Sequence, residues 1–354
     1  MNLELVKLGM SNVRNKVAES LYLKLNVDIT RPIQIYAIVN NRCNAKCRMC
    51  DSWRSEGLSE LPASVWIRAL TSLNSFVGAF HINFSGGEPL LKRDFIDILE
   101  YCDKARIMAG FTTNGLLLGQ KNVQRIINLK LFNINISLDS MEDNIHDEIR
   151  GFPGMLSKVK ENIKYLIAQK QISGSVFQII LKPIVCSRNL NCLDKIVEYA
   201  KDMNLTGVNF QPVFKWSKES EEMFKVDKEN LDVMIEKLIG MKKRGYDILN
   251  SEASIRQWKL HFDEIIPGRN SLCVVPLRNL TIKPNGDVFL CGFRDLKIGN
   301  IGNDDMKKMW YSDETRKSRK VLVHCNRLCT ATCVVKRNWK DYIDLFFKLV
   351  GNKT

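Results

Sequence analysis

The stretch Cys43–Cys50, CNAKCRMC, decides how this chain is read. Three cysteines stand at spacings of three and then two residues, with no fourth in reach. Thiolates are the soft ligands of iron–sulfur clusters, which usually take four of them. Three thiolates on a four-iron cluster leave one iron open, and an open coordination position is where a metal does chemistry. Zinc ribbons pair C-x2-C knuckles instead, and a zinc site completed by a distant histidine is the alternative for this loop. The apolar run PIQIYAIVN ends just ahead of Cys43, so the cysteines fall in the loop at a strand's carboxyl end.

Further short runs follow at intervals: AFHINFSGG, IMAGFTTNG, LFNINISLD, SVFQIILKPIV and TGVNFQPVF. Their shortness and their β-branched and aromatic content predict buried strands. Amphipathic segments such as PASVWIRALTSLNSF lie between them, with Pro62 expected at a first helical position. Strand–helix alternation means a parallel sheet with crossover connections. The fold class is therefore α/β, a partial (βα)6 barrel over residues 33–217, with ligand chemistry at the carboxyl ends of its strands.

Residues 218–272 read as a charged helical bridge. Residues 273–335 hold five cysteines around LTIKPNGDVFLC, whose PNGD supplies the Asn and Gly that a tight hairpin wants. They predict a small C-terminal β-hairpin/helix domain. At the front, residues 1–32 predict an amphipathic helix with Leu3, Val6, Met10, Val13, Val17 and Leu21 on one face, interrupted by Gly9. At the back, residues 336–354 predict a second one, with Trp339, Tyr342, Ile343, Phe346 and Val350 on a face among Lys336, Arg337, Lys340 and Lys348. Helices of that kind lie on membrane surfaces or pack on a barrel, so peripheral membrane contact through this helix stays open.

The 354 residues are 45% hydrophobic and 26% charged, the balance of a soluble globular protein. No run reaches the roughly 18 apolar residues of a membrane span. The first residues lack the apolar core of a secretory signal, which predicts a cytoplasmic location. There, eleven cysteines are expected to be metal ligands rather than disulfides. The net charge is 53 − 39 = +14, but the cations are scattered and no nucleic-acid signature accompanies them. No nucleic-acid partner is expected.

The C-x3-C-x2-C loop after the first strand resembles that of the radical S-adenosylmethionine (SAM) enzymes. The resemblance implies a four-iron cluster on Cys43, Cys47 and Cys50, with SAM chelated at the open iron. It implies reductive cleavage of SAM to a 5′-deoxyadenosyl radical, which abstracts hydrogen from a substrate. Met49 stands where the family often has an aromatic residue that packs near the adenine. Other motifs are similar in order. SGGEP (Ser85–Pro89) follows the second strand, TTNG (Thr112–Gly115) the third and ISLDS the fourth, and HDEIRGFPG comes next. They imply SAM contacts from Gly86, Gly87, Glu88, Thr113, Asn114, Ser137, Asp139 and Arg150. Strand-end capping is the competing role for Asp139, and a surface ion pair with Asp147 or Glu148 for Arg150. His81, His146, His261 and His324 read as structural.

The C-terminal cysteines resemble the auxiliary-cluster domains called SPASM, or the shorter twitch form. Five cysteines imply one further four-iron cluster, on Cys273, Cys291, Cys329 and Cys333 with Cys325 as competitor; a zinc site is the alternative. Cys102 and Cys192 read as core. Cys186, near the end of the fifth strand, is a candidate hydrogen-atom donor or a buried bystander. The implied reaction is hydrogen abstraction from a peptide, sugar or lipid, ending in a redox-coupled modification; epimerisation with a thiol donor is the second outcome. A non-catalytic iron–sulfur carrier or sensor is the reading from another class. The implied partners are a small-molecule or peptide substrate and a reductant such as flavodoxin or ferredoxin. Molybdenum-cofactor cyclases carry a C-x2-C-x13-C spacing that this chain lacks, so that assignment is set aside. The first strand begins near Ile33, so no separate leader-peptide domain is expected ahead of it.

Overall fold

The computed structural model describes residues 3–54, 59–265 and 272–330. Its strands are β1 (Gln34–Ile38), β2 (His81–Ser85), β3 (Met108–Thr113), β4 (Asn133–Ile136), β5 (Gln178–Leu181), β6 (Ile184–Val185), β7 (Gly207–Val208), β8 (Gln211–Pro212), β9 (Asn279–Ile282), β10 (Asp287–Phe289) and β11 (Lys297–Asn300). Helix α1 (Leu3–Leu25) precedes them. Between strands lie α2 (Ala63–Val77), α3 (Phe95–Lys104), α4 (Gln120–Ile126), α5 (Asp143–Arg150), α6 (Met155–Ser173) and α7 (Leu193–Asp202). The bridge holds α8 (Lys218–Phe224), α9 (Lys228–Lys243) and α10 (Glu252–Phe262), and the C-terminal part α11 (Met306–Trp310) and α12 (Asp313–Leu322).

Six parallel strands in the order β1-β2-β3-β4-β5-β7 form the partial barrel, and each lies in one of the apolar runs. Alternate residues of a strand face opposite sides. The outward side is apolar and packs under α2 and α3, with edge-on rings running Trp66–Phe84 at 6.3 Å, Phe84–Phe95 at 5.6 Å and Phe95–Phe111 at 5.6 Å. The inward side is a polar ladder. Asn135 Nδ2 donates to Asn83 Oδ1 at 2.9 Å, Asn83 Nδ2 to Thr112 Oγ1 at 3.1 Å, and Asn133 Nδ2 to Asn135 Oδ1 at 2.8 Å. Mutual pairing of these side chains offsets the cost of burying them.

The C-terminal hairpin is less separate than the sequence implies. β9 pairs in parallel with β1, Gln34 opposite Asn279, and β10 and β11 add antiparallel beyond it. One nine-stranded sheet results, and the edge that β1 would expose is covered. The PNGD turn is as expected, with Gly286 at φ +87°. Pro62 sits at the N-cap of α2, one place ahead of its expected position. The seam beyond β7 and β8 is bridged by rings: Trp216 stacks on Phe293 at 5.7 Å, and Phe214 lies 4.9 Å from Phe293.

Helix α1 runs inverted relative to the usual amphipathic helix. Its buried side is Ser11, Asn15, Ala18 and Glu19, while Leu3, Met10, Val13 and Val17 face outward. Asn15 donates to Leu277 O at 3.2 Å and accepts from Arg31 N at 2.8 Å, and Glu19 pairs with Arg278 at 3.0 Å. The expected C-terminal helix lies outside the described residues. Among those described, no helix is long and apolar enough to cross a membrane.

The C-terminal part is tied to the front of the chain by Arg319. Its side chain is fully buried, lies over the Trp310 ring at 4.1 Å, donates to Pro276 O at 3.2 Å and pairs with Asp28. Removing one partner of a buried pair strands the other charge, at a cost of about 3–5 kcal/mol. Asp28→Ala is therefore expected to lower the urea-unfolding free energy by about that much. An unchanged midpoint and slope would show that the pair does not hold the two parts together.

Candidate active site

Residues 40–50 form an irregular loop whose backbone is held from three directions. From β2, Val39 N donates to Ser85 O, Gly87 N to Asn40 O and Glu88 N to Arg42 O, and Asn40 Nδ2 returns a bond to Glu88 O at 2.8 Å. This close approach needs glycine. A Cβ on Gly86 would stand 2.4 Å from Asn40 O, and one on Gly87 2.2 Å from Arg42 O. From β3, Asn114 Nδ2 donates to Asn44 Oδ1 at 2.7 Å and reaches Cys43 Sγ at 3.9 Å. From α5, Arg48 N donates to Ile149 O at 3.0 Å. The helix ends at Gly151, which is left-handed at φ +62° and has Lys46 O 2.2 Å from where its Cβ would be.

Several residues expected to touch SAM are committed to protein partners. Glu88 is fully buried, and its carboxylate accepts from Leu90 N at 3.1 Å, Thr113 Oγ1 at 2.9 Å and Asn114 N at 2.8 Å. It ties the β2 loop to the β3 loop. Asp139 is fully buried and accepts from Ile184 N at 2.8 Å, while Arg150 Nε lies 2.6 Å and Arg150 Nη2 2.9 Å from its oxygens. Arg150 is thus neither on the surface nor paired with Asp147 or Glu148. Its Nη1 points to Cys47 Sγ at 3.9 Å. Ser137 is half-buried at the end of β4, and Gly86 and Gly87 line the loop through backbone alone.

Burial raises the Cys43 thiol, and raises Cys47 to about 11 against the opposing pull of Arg150. Burial opposes the charged form of Arg150, but Asp139 and Cys47 outweigh it and hold the guanidinium protonated. The charge of Cys50 adds to the rise at Cys43, and those of Cys50 and Cys43 to the rise at Cys47. Among the described residues, no three Cys, His, Asp or Glu side chains gather closely enough for one metal ion. Three thiols carried on one loop, near enough for their charges to act on one another, with a buried cation beside Cys47, fit a multi-iron cluster, whose sulfur ligands sit on separate irons.

At the seam, Cys291 and Cys325 are close enough to interact electrostatically, and Arg294 Nη2 lies 3.7 Å from Cys325 Sγ. Cys273 N donates to Val323 O at 2.7 Å, which brings Cys273 to the same end of α12 as Cys325. Cys325, the expected competitor, thus lies near both Cys291 and Cys273. Cys329 is half-buried, and Cys333 lies outside the described residues. Cys186 is fully buried, with its thiol donating to Asn189 Oδ1 at 3.4 Å and pushed up to about 12 by burial. Cys102 and Cys192 are buried too. His146 accepts from Asp139 N at 3.1 Å, and burial lowers it to about 4, which keeps it neutral.

Sequence reasoning missed Asn40, Asn189 and the rings at the seam. Asn189 donates to Asp139 O at 2.7 Å and Ile184 O at 2.6 Å, closing the network behind Arg150. No local pattern marks it. Trp216 and Phe293 were visible only as aromatics. They join the two thiol groups: Ser217 reaches Arg48 O at 3.5 Å and Glu219 pairs with Arg54 at 2.8 Å.

Residues 37–185 match the family model of the radical SAM superfamily, and residues 273–334 match that of the SPASM iron–sulfur cluster-binding domain. The chain is similar to a PqqA peptide cyclase of Methylocella silvestris, 19% identical over 81% of this chain and 76% of the relative. It is similar to a GTP 3′,8-cyclase of Staphylococcus epidermidis, 28% identical over 57% of this chain; the alignment spans 64% of that relative, less than two thirds of its length. Among solved structures, SuiB of Streptococcus suis bound to S-adenosylmethionine superposes with a TM-score of 0.67 at 19% identity, covering 84% of this chain and 69% of SuiB. AnSMEcpe with bound AdoMet superposes at 0.64 and 17%, covering 91% and 94%. At those identities the likeness shows the fold.

Two outcomes follow for the loop. Gly87→Ala and Gly151→Ala drive a methyl group into its backbone, and each should cost about 1–3 kcal/mol of stability. Each should also lower the iron bound per chain; full iron content in both variants would show that the close approach is not required. Burial, against three donors, raises Glu88 from an ordinary 4.5 to about 7. A raised carboxyl contributes stability that is full below pH 4.5 and lost as pH rises through about 7. The stability difference between the parent and Glu88→Gln should fall across that window, and a flat difference would contradict the assignment.

Proposed function

The chain belongs to the radical SAM superfamily and carries a SPASM domain, and from that premise we propose that it abstracts hydrogen from a peptide substrate and completes an oxidative modification. The observation that carries this reading is the loop of Cys43, Cys47 and Cys50, pinned at the carboxyl end of β1 by three neighbours. When bound there, a four-iron cluster and SAM supply the reductive cleavage that begins hydrogen abstraction, and an auxiliary cluster supplies an electron acceptor.

The chain's own residues then have separate tasks. Cys43, Cys47 and Cys50 hold the catalytic cluster. Arg150, kept charged by Asp139, offsets the negative charge gathered at Cys47. Gly86, Gly87 and Ser137 present backbone and a short hydroxyl at the mouth, where SAM docks. Cys273, Cys291 and Cys325, with Cys329 or Cys333, hold the auxiliary cluster, and Arg294 and Arg327 supply positive charge beside it. The positive balance of 53 − 39 = +14 suits an acidic reductant of the flavodoxin or ferredoxin kind.

The similarity to the PqqA peptide cyclase over most of both chains supports a peptide substrate. A small-molecule substrate is the second reading, supported by the higher identity with the GTP cyclase. The burial of Cys186 supports oxidation ahead of epimerisation, since a hydrogen donor must meet the substrate radical. Reconstituted protein incubated with SAM and dithionite should form 5′-deoxyadenosine and carry about eight irons, four per cluster. The Cys43→Ala/Cys47→Ala/Cys50→Ala variant should lose all SAM cleavage and about half the iron. SAM cleavage by that variant would refute the reading.

A further inference from the structure

We infer that the outward face of α1 docks on an anionic lipid surface. The helix buries a polar side and presents an apolar one: Met10 is 68%, Leu3 57%, Val17 54% and Val13 50% exposed. Leu3 stands seven residues before Met10, and Val13 and Val17 three and seven after it, so the four form one stripe. The inversion is fixed rather than incidental. Asn15 and Glu19 anchor the opposite side to Leu277, Arg31 and Arg278, so the helix cannot roll its apolar stripe inward without breaking those bonds.

Charge selects the occupant. The cations Lys7, Arg14 and Lys24 are exposed beside the stripe. Lys7 is paired with Glu4 at 3.1 Å and the helix's other acid, Glu19, is buried against Arg278, so Arg14 and Lys24 carry the positive charge that faces outward. A second copy docked face to face would set these cations against each other. Residues 336–354 carry five lysines and arginines against two aspartates, so that segment would meet the same repulsion. An anionic lipid headgroup complements the cations while the stripe enters the acyl boundary.

The placement leaves the catalytic mouth free. Asn15 binds just ahead of β1 and β9, which run parallel, so α1 sits at their amino ends. The Cys43–Cys50 loop lies beyond the carboxyl end of β1. A chain held by α1 would turn its site away from the lipid, open to a soluble substrate.

The test is co-sedimentation of the full chain with vesicles of phosphatidylglycerol and phosphatidylcholine, and with phosphatidylcholine alone. Binding is expected to the anionic vesicles only, and to weaken as salt is raised. Met10→Glu/Val13→Glu/Val17→Glu changes three exposed positions, so its thermal unfolding should match the parent's, while partitioning should fall by about a hundredfold. Arg14→Glu/Lys24→Glu should weaken partitioning by about fivefold or more per cation, with the fold again unchanged. Equal sedimentation of the parent and the Met10 triple variant would overturn the inference. So would binding lost only on deletion of residues 336–354, or a dimer in size exclusion that the triple variant splits without any vesicle binding.

Discussion

The architecture depends on one backbone contact. Residues 40–50 have no helix or strand of their own, yet several of them are buried. Their polar groups must find partners elsewhere. The β2 loop supplies them by running against Asn40 and Arg42 at a distance that only Gly86 and Gly87 permit. Gly151 permits the same from α5, against Lys46. The carboxylate of Glu88 then locks the β2 loop to Thr113 and Asn114, and Asn114 returns to Asn44. Motifs scattered over more than a hundred residues are thus one support for three thiols.

Electrostatics follows from that geometry. Burying thiols favours their neutral form, which works against metal binding. A buried guanidinium at 3.9 Å from Cys47 Sγ works the other way. Such a cation is tolerable only when paired, which explains a fully buried Asp139 with an ion contact of 2.6 Å. Asn189, Ile184 and His146 in turn fix Asp139. The same logic recurs less deeply at the seam, where Arg294 and Arg327 stand near Cys291 and Cys325.

The six barrel strands were legible because each is a short run of β-branched and aromatic residues between turn signals. The Cys43 loop was legible because its spacing is a chemical statement in itself. The pairing of β9 with β1 was not, since it joins Gln34 to Asn279 and leaves no local trace. The motif glycines were visible, but not how closely the chain's own cluster loop approaches them. Likewise Asp139 and Arg150 were singled out separately, while their mutual ion pair needed coordinates. The periodicity of α1 said nothing of which way its apolar face points, because two polar residues, Asn15 and Glu19, decide which side is buried.

A four-iron cluster held by the thiols of Cys43, Cys47 and Cys50 would leave one iron open to SAM. Electron–nuclear double resonance on the reduced protein, with SAM labelled by nitrogen-15 at the amino group, addresses that iron directly. A hyperfine coupling is expected between the labelled nitrogen and one of two reduced clusters. A reduced cluster in full yield that shows no coupling to bound, labelled SAM would contradict it.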